Sequence, residues 1–179
     1  MRVISGSARG KKLECPEGID IRPTLDRVKE SVFNMIAFDI AGATVLDLFS
    51  GSGALGIEAL SRGASHCVFV DKSSQSIDAT QKNIEATRFG DASCVINTDS
   101  IEFIKKTDKT FDIIFIDPPY ESELYESSLR AIKDSGILSD DGFIVLEYDI
   151  NITPIFETTG FEIVKDRKYG RVKILIMKE

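Results

Sequence analysis

The chain has 179 residues and a formal net charge of −7, and 42% of its residues are hydrophobic and 28% are charged. This length suits one domain with a sizeable core, and the composition excludes a disordered or fibrous protein. The acidic total argues against a general coat for nucleic acids.

The sequence predicts a cytoplasmic protein without a membrane span. No apolar run approaches 18 residues, and the first residues lack the apolar segment of a signal peptide. Cys15, Cys67 and Cys94 lie far apart and show no metal-ligand spacing, so reduced thiols and no metal site are expected. His66, the single histidine, opens an apolar run and is expected to be structural.

Charge is distributed unevenly along the chain. Residues 1–30 carry +2 (seven Lys/Arg minus five Asp/Glu), residues 160–179 carry +3 (six minus three), and the 129 residues between them carry −12. The basic excess at both ends fits either ordinary solvated charge or a local footprint on a phosphate backbone.

The first predicted element is a small hairpin, in which residues 2–5 pair with residues 11–14 across a loop that contains Gly and Ser. Four basic residues decorate it: Arg2, Arg9, Lys11 and Lys12. The triplet Arg22-Pro23-Thr24 ends the extended part. A helix is predicted over residues 24–39, because apolar residues recur there at steps of three and four.

A glycine-rich turn follows the first buried strand. The strand pattern of residues 44–49 runs into Ser50-Gly51-Ser52-Gly53-Ala54-Leu55-Gly56, and a helix is predicted over residues 55–62. This context makes a ligand-binding Gly-x-Gly-x-x-Gly turn credible. Gly51 would permit the tight turn, Gly53 would let a ligand approach the backbone, and Gly56 would let the helix pack closely on a strand.

Two acidic residues follow the next two predicted strands. The strand over residues 66–70 ends in Asp71, twenty residues after Gly51, where an acid suits two hydrogen bonds to a ribose diol. After a helix over 75–88 and a strand over 92–97 comes Asp99. It either binds an adenine amino group or supports the helix that follows, over residues 101–105, for which Ser100 is the expected cap.

The rest of the chain continues the alternation of strands and helices. The predicted elements are a strand that ends at Asp117, a helix over 122–135, a strand over 143–147, a helix start at Thr153-Pro154, and strands over 161–165 and 172–177 that form a hairpin. This order predicts a three-layer α/β fold with a doubly wound sheet that is parallel except for the terminal hairpin.

The tetrapeptide Asp117-Pro118-Pro119-Tyr120 follows a short apolar strand, at the edge of the sheet where ligands bind in this kind of fold. An exocyclic amino group of a nucleobase is a poor nucleophile, because its lone pair is delocalised into the ring. The Asp117 carboxylate and the Pro118 carbonyl could each accept one of its hydrogens, Pro119 would stiffen the turn, and Tyr120 would stack on the base. The alternative is that Asp117 merely starts a loop and Tyr120 packs on the surface.

With these motifs in place, the chain resembles class I S-adenosylmethionine-dependent methyltransferases and, more narrowly, the RsmD family of 16S ribosomal RNA guanine-N2 methyltransferases. The likeness covers nearly the whole chain. It is carried by Arg2–Gly6, Gly10, Arg22–Thr24, Asp26, Arg27, Lys29, Glu30, Phe33, Asn34, Leu46–Ala64, Asp117–Tyr120 and Lys168–Gly170. The Arg-Pro-Thr helix together with Leu-Ser-Arg-Gly-Ala is the more specific part, since other amino-methyltransferases share the remaining signals.

The resemblance implies a Rossmann-like, mostly parallel seven-stranded sheet with an antiparallel last strand, and a small N-terminal hairpin. It implies one methyltransferase domain, in which residues 1–23 form the hairpin extension and residues 24–179 the core. Asp117, Pro118, Pro119 and Tyr120 would receive the target guanine. S-adenosylmethionine would be bound by Arg22, Thr24, Arg27, Asp47, Phe49, Ser50, Gly51, Gly53, Gly56, Asp71, Lys72, Asp99, Ser100 and Asp117.

Within that set, the resemblance places Asp47 at the methionine end of the cofactor, Asp71 at the ribose, and Asp99 and Ser100 at the adenine. RNA would be contacted by Arg2, Arg9, Lys11, Lys12, Lys168, Tyr169 and Arg171. The acidic total fits poorly with naked RNA, so the implied partner is 16S ribosomal RNA within an assembled small subunit. A monomer is the default expectation.

Three rival interpretations share part of the pattern. A nicotinamide dehydrogenase shares the glycine turn but does not explain Asp47 or the Asp-Pro-Pro-Tyr motif. A DNA adenine-N6 or protein glutamine methyltransferase shares the motif but usually has Asn at the position of Asp117. A non-catalytic S-adenosylmethionine-binding or RNA-binding protein would have no need of the intact motif.

Overall fold

A computed structural model describes residues 1–16, 23–119, 122–151 and 159–179, without the side chains of residues 23–25 and 122. Arg22, Tyr120 and the helix start predicted at Thr153-Pro154 lie outside the described residues. Within these ranges, no helix has the length and apolar character needed to cross a membrane.

Helices and strands alternate through most of the chain. The helices are α1 (Pro23–Met35), α2 (Ala54–Ser61), α3 (Ser74–Thr87), α4 (Ser100–Lys106) and α5 (Ser122–Ser135). The strands are β1 (Thr44–Asp47), β2 (His66–Asp71), β3 (Ser93–Asn97), β4 (Phe111–Ile116), β5 (Leu138–Asp149), β6 (Glu162–Tyr169) and β7 (Val172–Lys178).

The seven strands form one sheet in the order β3-β2-β1-β4-β5-β7-β6. Strands β1 to β5 pair in parallel, and β7 is antiparallel to both of its neighbours. The structure therefore confirms the predicted mixed sheet of an α/β fold with an antiparallel last strand. The strand order reverses between β1 and β4, and a reversal of this kind opens a crevice for ligands at the carboxyl ends of the strands.

The central strands are apolar on both faces, so each face of the sheet has its own core. Side chains of β1, β4 and β5 alternate between the two cores. One core contains Val45, Phe115 and Val145 and is covered by α1, α2, α3 and the N-terminal residues. The other contains Leu46 and Ile116 and is covered by α4 and α5. This alternation determines which face each residue at a strand end will point to.

Several element boundaries differ from the predicted ones. Helix α1 ends at Met35 rather than at residue 39, and Phe38 in the following turn is fully exposed. Strand β5 begins at Leu138, earlier than predicted, because Leu138 pairs with Phe111. A register shift separates this pair from the rest of the β4–β5 ladder, and the polar residues after Leu138 hide the early start in the sequence. Strand β6 extends to Tyr169, although its charged run does not read as a strand.

The N-terminal residues form a looser pair than the predicted hairpin. Their one antiparallel bridge joins Arg2 to Lys12, and further backbone bonds link residue 3 to residues 10 and 11. We call residues 1–14 the N-terminal segment. Its contacts with the helices hold it in place.

A buried carboxylate attaches the N-terminal segment to α2. Glu58 is fully buried and accepts hydrogen bonds from the backbone N–H groups of Ile4 at 2.8 Å and Ser5 at 3.0 Å. It also accepts a bond from Arg62 at 2.8 Å and pairs with the ammonium group of Lys29 at 3.2 Å. Burial lowers the pKa of Lys29, although the charge of Glu58 opposes that change. One carboxylate thus joins the segment, α1 and α2.

A second attachment reaches the glycine-rich turn. The amide of Asn83, on α3, accepts a hydrogen bond from the N–H of Glu14 and donates to the Glu14 carbonyl, both at 2.8 Å. The same amide nitrogen donates to the carbonyl of Ser52 at 2.8 Å. The end of the N-terminal segment and the turn between β1 and α2 are therefore held by one side chain.

Gly6 and Gly10 offer a matched test of the docked N-terminal segment. Both have φ near +84°, but a Cβ at residue 6 would collide with the carbonyl oxygen of Ser61, whereas a Cβ at residue 10 would meet nothing within 4 Å. We expect Gly10→Ala to lower the free energy of unfolding by about 1–2 kcal/mol through backbone strain. Gly6→Ala should cost about 1–3 kcal/mol more, because Ser61 must move. Urea denaturation measures both, and equal costs would contradict this docking.

Candidate active site

Four carboxylates lie at the carboxyl ends of neighbouring parallel strands. Asp47 ends β1, Asp71 ends β2, Asp117 follows β4, and Glu147 is near the end of β5. Asp47, Asp117 and Glu147 continue the side-chain alternation of Val45, Phe115 and Val145, so they point to the face of the sheet that carries α1, α2 and the N-terminal segment. The described residues contain no group of three or more side chains arranged to hold a metal ion.

The glycine-rich turn is tied to the strand ends by its backbone. Asp71 accepts hydrogen bonds from the N–H of Gly51 at 2.9 Å and of Ser73 at 2.8 Å. Thr80 donates to the carbonyl of Gly51 at 3.1 Å, and Gly51 has φ +54°, as the predicted tight turn requires. The Asp71 carboxylate is half-buried and still has lone pairs available for a diol.

Gly56 plays the predicted packing role. A Cβ at this position would collide with the ring of Phe69 on β2, so only glycine lets α2 lie this close to the sheet. Gly53 precedes the first residue of α2, and a Cβ there would lie 3.0 Å from the Thr80 methyl group. Approach of a ligand to Gly53 remains a prediction.

Asp47 is the most deeply buried of the four carboxylates, with 3% of its surface exposed. Its Oδ2 accepts a hydrogen bond from the N–H of Gly56 at 3.0 Å. Burial raises the pKa of Asp47 to about 7, the charges of Asp117 and Asp71 add to this increase, and the bond from Gly56 opposes it. A cationic group placed nearby would favour the ionised form.

The prediction that Ser100 caps α4 was wrong. Asp99, not Ser100, is the N-cap, and its carboxylate accepts bonds from the N–H groups of Ile101 and Glu102 at 2.9 and 3.1 Å. Ser100 is buried and donates its hydroxyl to the carbonyl of Leu48 at 2.8 Å. The capping alternative for Asp99 is thus present, and a contact of either residue with adenine remains a prediction.

The Asp117 motif begins at the rim of the crevice. Asp117 is an exposed residue, but nearby protein atoms desolvate its carboxyl group enough to raise its pKa to about 6. Asp117 is therefore mostly ionised at pH 7. Pro118 is buried and Pro119 is exposed, as expected for a turn that leaves the sheet.

The remaining residues predicted to bind the cofactor differ in their exposure. Arg27, on α1, and Lys72, after β2, are exposed, and Phe49 is half-buried. Ser50 is 6% exposed, and its hydroxyl has no hydrogen-bond partner among the described residues. Thr24 lies in the first turn of α1, but its side chain is outside the described part.

The residues predicted to bind RNA form two groups, one on the N-terminal segment and one at the turn between β6 and β7. Arg9, Lys11 and Lys12 are exposed on the N-terminal segment, and Lys168 is exposed at the end of β6. Tyr169 packs against the core that the N-terminal segment also covers. Two of the basic residues have acidic neighbours, since Arg2 lies 3.4 Å from Asp26 and Arg171 lies 3.4 Å from Asp149.

Three residues of this region were not foreseen from the sequence: Glu58, Asn83 and Glu147. Each looked like an ordinary polar residue of a helix or a strand end. Their positions matter because of partners that are distant in the sequence, separated by 53 to 69 residues for the bonds of Glu58 and Asn83 to the N-terminal segment. A buried acid within an apolar helix, as at Glu58, is the one signal that could have been noticed.

Comparison with known proteins finds one matching family, described as "Conserved hypothetical protein 95", over residues 1–178. The chain is 41% identical to the Bacillus subtilis (strain 168) protein "Putative rRNA methyltransferase YlbH", over 100% of this chain and 99% of that protein. It is 37% identical to "Ribosomal RNA small subunit methyltransferase D" of Escherichia coli (strain K12), over 84% of this chain and 75% of that protein.

Solved structures give the same picture. "Putative methyltransferase yhhF from Escherichia coli" matches with a TM-score of 0.88 and 30% identity, over 99% of this chain and 96% of that one. SMU.776, whose structure is described as "complexed with SAH", matches with a TM-score of 0.73 over 89% of this chain and 50% of that one. At 20% identity, this second likeness shows the fold alone.

The buried Asp47 carboxylate predicts a pH-dependent stability. Its pKa of about 7 in the folded chain exceeds the ordinary 3.8, so its ionisation destabilises the fold as pH rises through 4 to 7. Asp47→Asn keeps an acceptor for Gly56 and removes this effect. We expect the variant to gain roughly 2–3 kcal/mol of unfolding free energy relative to wild type between pH 5 and pH 8. Urea denaturation at both pH values measures it, and a pH-independent difference would contradict the burial argument.

Proposed function

Because the chain belongs to the RsmD family, described as conserved hypothetical protein 95, we propose that it methylates the exocyclic N2 amino group of a guanine in 16S ribosomal RNA. Membership makes it an S-adenosylmethionine-dependent methyltransferase of ribosomal RNA, and the guanine N2 target within an assembled small subunit is our proposal. The observation that carries it is the position of Asp117 and the two prolines after it, at the carboxyl end of β4 beside the crevice between β1 and β4. The proposed place of action is the cytoplasm.

The polar groups that line the crevice suit S-adenosylmethionine. The Ser50 hydroxyl has no partner among the described residues, and Asp47 and Asp71 present carboxylates on either side of the glycine-rich turn. Bound there, the cofactor supplies a methyl group on a cationic sulfur that is already electrophilic. The residues proposed to hold it are Arg22, Thr24, Arg27, Asp47, Phe49, Ser50, Gly51, Gly53, Gly56, Asp71, Lys72, Asp99, Ser100 and Asp117.

The protein contributes alignment and hydrogen-bond acceptors. We propose that the Asp117 carboxylate and the Pro118 carbonyl each accept a hydrogen of the target amino group, which localises the nitrogen lone pair toward the methyl group. Asp117 suits this task because a pKa of about 6 leaves it mostly ionised at pH 7. Holding nitrogen, methyl and sulfur in line is a proximity effect that is worth several kcal/mol, on the order of 7 or more in favourable cases.

RNA is proposed to contact the basic residues of the N-terminal segment and those at the turn between β6 and β7. The exposed Arg9, Lys11, Lys12 and Lys168 suit phosphate contacts, and Tyr169 suits a contact with a base. The rest of the chain is acidic, so the basic groups form a small footprint rather than a continuous patch. A substrate that is already folded within the small subunit is compatible with such a footprint.

Asp117→Ala tests the proposed catalysis. We expect it to bind S-adenosylmethionine within about threefold of wild type, because the other residues proposed to hold the cofactor remain. Its turnover should fall about 100-fold or more, because the amino group loses its charged acceptor. Calorimetry and single-turnover transfer of a tritiated methyl group measure the two quantities. Asp141→Ala, at an exposed position on β5 distant from the crevice, is the control for loss of one charge. Near wild-type turnover of Asp117→Ala would disprove the assignment.

Nucleoside analysis tests the proposed target. Small subunits that lack the modification, naked 16S RNA and duplex DNA would each be incubated with the protein and labelled S-adenosylmethionine. We expect N2-methylguanosine from the subunits. Label that appears only as N6-methyladenine would overturn the proposed target while leaving the methyltransferase activity intact.

The basic footprint predicts a defined dependence on salt. Arg9→Ala combined with Lys11→Ala should weaken binding to the subunit and reduce the slope of log affinity against log salt by about 2, one for each lost phosphate contact. Filter binding at several salt concentrations measures this slope. The pair Lys105→Ala and Lys109→Ala removes the same charge from exposed positions in and after α4, on the other face of the sheet. Equal slopes for the two double variants would contradict the footprint.

A further inference from the structure

Asp117 has a second carboxylate at its side. Strands β4 and β5 pair in parallel with Ile116 opposite Leu146, so Asp117 and Glu147 are the next residues on adjacent strands. Both continue the alternation that faces the core beneath the N-terminal segment. Neighbouring strands lie about 4.8 Å apart, so rotation about side-chain bonds brings the two carboxyl groups within hydrogen-bond reach.

Within the described part of the chain, Asp117 is the only partner that Glu147 has. On its far side, β7 places the apolar Ile174 opposite it. No hydrogen bond or ion pair to the Glu147 carboxylate is formed by residues in the described ranges, and Asp117 is the one charged group among them whose field acts on it. Desolvation and the Asp117 charge raise the pKa of Glu147 well above its usual range. Two adjacent carboxylates in such a site do not both ionise readily.

We propose that Asp117 and Glu147 hold one proton between them and that the protonated Glu147 donates a hydrogen bond that fixes the orientation of the Asp117 carboxylate. Glu147 is then a positioning residue for the methyl transfer, which this inference takes from the proposed function. One oxygen of Asp117 is engaged by Glu147, and the other is left for the target amino group. Asp47, the other acid near Asp117, is already engaged by the N–H of Gly56.

The proton balance of the reaction follows from this arrangement. The lone pair of the guanine N2 forms the new bond to the methyl carbon, and the electrons of the broken carbon–sulfur bond return to sulfur. The nitrogen then carries an extra proton, which passes to the free oxygen of Asp117. Because the pair then holds two protons and no charge, one leaves to water before the next turnover.

The shared proton can be measured without any reaction. In cofactor-free protein with ¹³C-labelled carboxyl groups, the Glu147 resonance is assigned by its loss in Glu147→Gln. We expect its midpoint to lie above the ordinary glutamate range near 4.3 and to fall by about one pH unit or more in Asp117→Asn. Glu162→Gln, at an exposed position at the start of β6, controls for net charge and should leave the midpoint unchanged. The inference would be overturned if Glu147 titrated in the ordinary glutamate range and its midpoint were the same in Asp117→Asn.

The role in positioning is tested by the pH dependence of single-turnover methyl transfer. Glu147→Gln still donates a hydrogen bond, so we expect its rate at pH 7 to stay within about threefold of wild type, whereas Glu147→Ala loses about tenfold or more. Wild type should lose rate at alkaline pH as Glu147 ionises, and Glu147→Gln should not. A residue with only a structural role would leave the shape of the pH profile unchanged in both variants, which would overturn the proposal.

These experiments separate two kinds of failure. If wild type methylates guanine but the Glu147 midpoint is ordinary, the shared proton is wrong and the proposed function stands. If the pair titrates as expected but no RNA is methylated, the proposed function is wrong, and so is the role of Glu147 in it.

Discussion

The carboxylate of Glu58 is the interaction on which the arrangement of this protein depends. It lies fully buried between the N-terminal segment, α1 and α2, and it is satisfied by two backbone N–H groups and two cations. Removing one member of such a buried pair typically costs about 3–5 kcal/mol, because the remaining charge is left without a partner. Arg62 also lies over the ring of Phe33, 5.0 Å from its centroid, and Phe33 packs on Phe115 of β4. The contacts that begin at Glu58 therefore reach β4, the strand that precedes Asp117.

The acidic residues at the carboxyl ends of the strands, in contrast, destabilise the fold when they are ionised. Burial raises the pKa of Asp47, and desolvation acts on Asp117 and Glu147 in the same sense, so this edge of the sheet is less stable when its acids are ionised. Central strands that are buried on both faces offset that cost, and they hold the acids at fixed positions. The fold concentrates its instability where a cationic cofactor and an amino group are proposed to bind, a trade-off familiar at functional sites.

Residues with a local physical signature were predictable from the sequence. The apolar strands β1, β2 and β4, the tight turn at Gly51 and the bounds of α5 needed no knowledge of tertiary partners. Strand β6 was underestimated because it is exposed on both faces, so charge hides its extended backbone. Asp99 and Ser100 are both good caps, and only the carbonyl of Leu48 decides which of them caps α4. Glu147 acquires its neighbour Asp117 from the strand order alone, which no local pattern encodes.

Strand β7 lies between β5 and β6, although β6 precedes it in the chain. During synthesis, the eight residues of β6 thus leave the ribosome before the strand that joins them to the sheet has been made. Five of these residues are charged, which keeps the waiting segment soluble and discourages pairing with another chain. Because β6 pairs only with β7, it can join the sheet only together with β7 or after it. A nascent chain that stops before β7 would leave the β5 side of the sheet, including the backbone beside Glu147, open to water.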